Sequence, residues 1–145
     1  MVQITLKHFE LSEFDSPDIP GSGERMNLGT LLKLDKMREI VGEAIDPSSG
    51  WRSKARNKKV GGEKNSAHLF GFAADLKCIS VEFMLKLLEA AWKVGFRRFG
   101  IMNGAIHVDD DPTKVPNVMW DYGNEHTARF QAAIKWFHEK VKAQN

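Results

Sequence analysis

The pair Asn103-Gly104 most constrains what this 145-residue chain can fold into. It separates two short apolar-rich runs, Arg97–Met102 and Ala105–Asp109. Asn-Gly between such runs predicts a β-hairpin with a type I′ turn, because both residues tolerate positive φ. Part of the sheet is then antiparallel. A third extended segment, Phe70–Leu76, alternates: Phe70, Phe72, Ala74 and Leu76 form an aromatic core face, and Gly71, Ala73 and Asp75 point the other way. Helical periods surround these strands. Asn27 caps a predicted helix over Leu28–Ile40, with Leu31, Leu32, Leu34, Met37 and Ile40-Val41 as its apolar stripe. Ser80 caps a second over Val81–Val94, where Val81, Met84, Leu85, Leu88 and Trp92 share one face and Gly95 ends the helix. A last helix over Glu125–Ala143 turns Phe130, Ile134, Phe137 and Val141 toward the sheet. The segment through Glu24 carries turn chemistry and reads as loop. Without a βαβ rhythm, the expected class is α+β: a small, largely antiparallel sheet flanked by helices.

Composition narrows the function classes. Hydrophobic residues make up 42% and charged residues 28%, as in one ordinary globular domain spanning residues 1–145. A net charge of +2 is too small to make nucleic acid the main partner. No apolar run reaches the ~20 residues of a membrane span. One cysteine, Cys78, excludes an internal disulfide framework and a CxxC metal knuckle. The first eight residues have no basic head followed by an apolar core, so the expectation is a monomer made in the cytoplasm without a signal peptide. Arg52, Lys54, Arg56, Lys58 and Lys59 form a basic run, read either as a short helix with a solvated face or as attraction to an anionic polymer.

Three side chains stand out as chemistry. His68 lies in a turn entering the strand that carries Asp75, and His107 sits in an apolar strand with Asp109 on the same face. Two imidazoles and one carboxylate are three ligands for a tetrahedral Zn2+ with a fourth position left for water, the pattern of a catalytic rather than a structural site. His8, His126 and His138 read as ordinary polar residues.

Ser49-Gly50-Trp51-Arg52-Ser53, Asn57 with Val60-Gly61-Gly62, Ser66-Ala67-His68-Leu69-Phe70-Gly71-Phe72-Ala73-Ala74-Asp75, Gly95-Phe96 and Ile106-His107-Val108-Asp109 follow one another in order. Together they resemble the D-alanyl-D-alanine carboxypeptidase-type zinc peptidases, especially short phage and bacterial members. Their pattern reads SGYRS…N…VGG…SxHxxGxAxD…GF…HVD, and the likeness runs from about Phe9 to Tyr122. The resemblance implies the small α+β fold shared with the hedgehog signalling domain and the D,D-dipeptidases. It implies His68, Asp75 and His107 as zinc ligands and Arg52 as the cation that orients or neutralises substrate. Trp51 stands where relatives have tyrosine and keeps an aromatic wall. Ser66 is either a hydrogen-bond partner for substrate or a simple turn cap. Many relatives place an acid three residues before the last histidine, where this chain has Gly104. Asp109 is then either the general base or the acceptor that holds a ligand imidazole.

The function so implied is hydrolysis of peptidoglycan stem peptides or D-Ala-containing peptides by a zinc-activated water, as a carboxypeptidase or an endolysin-like endopeptidase. Its partner is peptidoglycan or its peptide fragments. A phage-type enzyme reaching the cell wall after release, or carried on the virion, suits a chain without a leader. The alternative is a catalytically inactive, metal-stabilised cell-wall-binding or structural module of the same fold.

Overall fold

The computed structural model describes residues 5–123 and 125–144. Met1–Ile4, half of the stretch read above for a leader, lie outside the described residues. Five strands form one sheet in the order β1-β2-β4-β3-β5: β1 Pro47–Ser49, β2 Ala73–Lys77, β3 Arg98–Ile101, β4 Ala105–Asp109 and β5 Val118–Asp121. All pairs are antiparallel except β3 with β5. The helices are α1 Leu28–Val41, α2 Lys54–Lys59, α3 Val81–Val94 and α4 Ala128–Ala143. The class is α+β, with a largely antiparallel sheet, as the chain's pattern predicts.

Local chemistry sets the boundaries. The side chains of Asn27, Ser80 and Thr127 accept hydrogen bonds from the backbone N–H of Thr30, Phe83 and Phe130, so α4 starts at Ala128 rather than at Glu125. Helix α1 packs on α3 and α3 on α4, and α3 and α4 meet the sheet. Ala74, Leu76, Phe99, Ile106 and Val108 join Leu34, Met37, Leu88 and Phe137 in one apolar core on that face.

Four expectations are corrected. Phe70 and Phe72 do not begin a strand: Ala67–Phe70 form a 3-10 turn ended by Gly71 at φ +79°, and Phe70 is left 57% exposed. Leu32 and Ile40 face outward from α1, whose buried stripe is Thr30, Leu31, Leu34, Met37 and Val41. The hairpin is present, but Asn103 has no positive φ and Gly104 alone supplies it at +135°, so the turn is not type I′. The opening segment is more ordered than loop, with 3-10 turns at Leu11–Phe14 and Ser22–Arg25 and buried Ser16 and Ser22.

Strand register then does the positioning. Ser49 pairs with Asp75, Asp75 with His107, His107 with Gly100 and Gly100 with Trp120. These five residues form one rank across the sheet on the face away from the apolar core. The next rank on that face pairs Asp109 with Arg98.

Candidate metal centre

His68 Nε2, Asp75 Oδ1 and His107 Nδ1 lie 3.2 Å from one another in all three pairings. Asp75 and His107 arrive as neighbours in register, and His68 is delivered by the 3-10 turn before β2. All three are buried, at 2% exposure for His68, 6% for Asp75 and 4% for His107.

The partners of the outer atoms decide what points inward. His68 Nδ1 is 2.7 Å from the carbonyl oxygen of Gly50, which only accepts, so the ring proton sits on Nδ1 and Nε2 presents a lone pair. His107 Nε2 is 2.6 Å from Asp109 Oδ2, which by the same logic leaves the Nδ1 lone pair facing inward. Asp75 Oδ2 accepts from Arg52 Nη2 at 3.1 Å, leaving Oδ1 for the cluster. Three acceptors thus converge on one point with no donor between them. Such a set is satisfied by a cation: ligand atoms ~2.0–2.1 Å from a tetrahedral zinc stand about 3.3 Å apart. The residues present therefore fit zinc, and they form a His-Asp-His group of the kind that holds a metal ion.

Electrostatics follow from burial and contact. Burial alone would raise the Asp75 carboxyl, but when a proton rather than a metal occupies the cluster, the charge of the His68 imidazole and hydrogen bonds from the protonated rings hold it well below the usual carboxylate range. Burial depresses His68. For His107 burial acts the same way, and the hydrogen bond to Asp109 with the negative charge of Asp75 and Asp109 outweighs it and raises the imidazole.

A cleft of about 630 Å³ opens over this cluster, lined by Arg52, Ser66, Asp75, His107 and Asp109 among others. Arg52 gives Nε to Ser49 Oγ, Nη1 to Asn57 Oδ1 and Nη2 to Asp75. Of five guanidinium N–H groups, two remain for a ligand. Ser66 caps the 3-10 turn by accepting from His68 N at 3.2 Å. Trp51 stands outside this cleft: its Nε1–H donates to the Leu69 carbonyl and braces the turn that carries His68. Asp109 is 1% exposed, and its Oδ1 accepts from Arg98 Nε at 2.9 Å and from Asp111 N. A Cβ built on Gly104 would meet Ile79 Cδ1 at 3.6 Å, and Gly104 itself does not line the cleft.

Sequence reasoning passed over Trp120, Tyr122 and Glu63, all of which line the cleft. The Trp120 ring lies 5.3 Å from that of His107, centroid to centroid, and Tyr122 lies 5.8 Å from Trp120. The signal was available as Trp120-x-Tyr122, two aromatics at strand spacing opposite the small residue Gly100.

The family model for peptidase M15 matches residues 8–109. A zinc D-Ala-D-Ala carboxypeptidase from Streptomyces albus G is 38% identical to this chain over 87 residues. That match takes in 59% of this chain and 34% of the relative, so the chain spans about a third of the relative's length.

Proposed function

The chain belongs to the peptidase M15 family, and on that premise we propose that it is a zinc-dependent peptidase, a single unit that hydrolyses peptidoglycan stem peptides or other D-Ala-containing peptides. The observation that carries this reading is the convergence of His68 Nε2, Asp75 Oδ1 and His107 Nδ1, three buried acceptors without a donor, at the floor of an open cleft. The name of the Streptomyces relative supports the substrate class.

His68, Asp75 and His107 would hold the zinc, which when bound supplies Lewis acidity that acidifies water and polarises a carbonyl. The remaining work falls to the chain's own groups. Arg52 turns its two free N–H groups, in the planar fork of a guanidinium, to a substrate carboxylate or to the oxygen that gains charge during attack. Its tie to Asp75 fixes both partners at once. Asp109 has both oxygens occupied, so we assign it to holding the His107 ring and its tautomer rather than to carrying the proton. Trp120 and Tyr122 supply an aromatic wall against which a peptide lies.

The inactive-module alternative is favoured by Gly104, which stands where many relatives have an acid. Gly104 carries no proton-transferring group and does not line the cleft, so the peptidase reading rests on the metal cluster and Arg52. An endolysin-like role at the cell wall is the biological setting we favour for the activity. The test is direct: zinc-loaded protein incubated with purified peptidoglycan releases new amino groups, and the Arg52→Ala variant releases them at least about a hundredfold more slowly. No release from any cell-wall substrate would overturn the proposal.

A further inference from the structure

A second groove, of about 680 Å³, lies beside the cleft and shares Arg52 and Gly62 with it as a common wall. Its other sides are Trp51, Leu69 and Phe70 together with Lys54, Lys58 and Lys64. No carboxylate lines it. Among the described residues none of these three lysines forms an ion pair, whereas Lys33, Lys77, Lys86 and Lys140 each lie against an acid. Phe70, at 57% exposure, leaves an apolar ring on an otherwise basic surface. The floor is mechanically joined to the metal cluster, since Trp51 Nε1 bonds the Leu69 carbonyl and Arg52 N bonds that of His68.

We propose that this groove binds a second arm of the peptide substrate, an acidic segment with free carboxylates, lying on the far side of Arg52 from the aromatic wall. The proposal rests on the peptidase reading and extends it to substrate choice. Unpaired ammonium groups beside an apolar ring match a segment that carries both carboxylate and hydrocarbon. The wall of Arg52 and Gly62 common to the two sites lets one extended peptide occupy both, crossing these residues. A Cβ on Gly62 would fall on Asn57 Oδ1 and within 3.1 Å of Arg52 Nη1, so glycine is what lets the loop backbone lie down on these residues at the crossing. Anionic peptides should therefore bind and turn over better than their amidated counterparts.

The experiment compares a stem-type peptide bearing free carboxylates with the same peptide carrying carboxamides. Binding is read by fluorescence anisotropy on the zinc-free His68→Ala protein, and hydrolysis on the zinc-loaded wild type. The acidic peptide is expected to bind at least about fivefold more tightly and to show a correspondingly lower KM. In the double variant Lys58→Gln/Lys64→Gln that preference falls to near unity, and salt near 0.5 M erases it in the wild type. Equal affinities in the His68→Ala protein with its groove lysines intact, or a preference that survives the double substitution, overturn the proposal. So does an oligonucleotide that binds more tightly than the acidic peptide. If neither peptide is cut, the peptidase reading fails while the ratio of binding constants still decides this one.

Discussion

The Nε2 atom of His107 lies 2.6 Å from Oδ2 of Asp109, two residues along the same strand and on the same face. That contact dictates which ring nitrogen of His107 faces Asp75 and His68, so a carboxylate outside the cluster determines the cluster's donor set.

Replacing Asp109 by Asn should weaken zinc binding by about 10- to 100-fold, because the imidazole loses its anionic partner. A competition titration against a chromophoric chelator reads this, with circular dichroism checking that the fold persists. Unchanged affinity in a folded variant would remove Asp109 from its positioning role.

Gly100→Ala tests the aromatic wall. The added Cβ would fall on Tyr122 Cε2 and 2.7 Å from Trp120 Nε1, both packed over the strand beside His107. Overpacking of this kind costs about 1–3 kcal/mol. Urea unfolding should show that loss, accompanied by a shift in tryptophan emission as Trp120 moves. A variant as stable as the wild type would mean that the rings part freely.

Arg129→Met tests the link between α4 and the sheet. Arg129 donates to the carbonyls of Met102, Ile79 and Cys78 at 2.8, 3.1 and 2.6 Å. Losing these charge-assisted bonds leaves the buried Cys78 carbonyl without its Arg129 partner, while Met102 O still accepts from Gly104 N, and should cost about 3 kcal/mol, seen as an earlier urea midpoint. Zinc content should not change, because the metal cluster lies on the opposite face of the sheet.

Tyr122 is the chain's one tyrosine, so its phenolate absorbance reports a single group. Burial of its hydroxyl against the cleft wall pushes this phenol from 10.0 up to about 12, partly offset by its hydrogen bond with Trp120, although the residue as a whole is 52% exposed. Folded protein then holds a proton that unfolded chain releases near 10. The phenol's contribution to stability is intact below pH ~10 and is lost as pH rises toward 12. A spectrophotometric titration of the native protein should place the midpoint well above 10, falling to 10 in urea. A native midpoint at 10 would show that the ring stands free of the wall.

What the residues disclosed, and what they hid, has a physical pattern. Asp75 and His107 were legible because period-two alternation places groups on a face without any knowledge of pairing, whereas His68, in a 3-10 turn, was legible through the SxHxxGxAxD element that it shares with Asp75. The α1 and α3 caps were legible for the same local reason, a hydroxyl or amide one residue before an apolar stripe. Strands β1 and β5 were not. Pro47–Ser49 is only three residues long and pairs across an irregular register, and Val118–Asp121 gains its place by lying parallel to β3, a long-range choice that no local period encodes. Phe70 misled because a strand period and a 3-10 turn of four residues look alike until Gly71 takes its left-handed conformation. The two roles left open for Asp109 were separable only once Arg98 appeared beside it, and that neighbour comes from strand pairing.

The central claim, that three side chains from two strands and a turn hold one catalytic metal, is tested most directly by elemental analysis of protein purified without added metal. The account predicts about one zinc per chain in the wild type and essentially none in a folded His68→Ala variant. Wild-type protein that takes up no zinc even when it is supplied, or a His68→Ala variant that keeps its full complement, would contradict it.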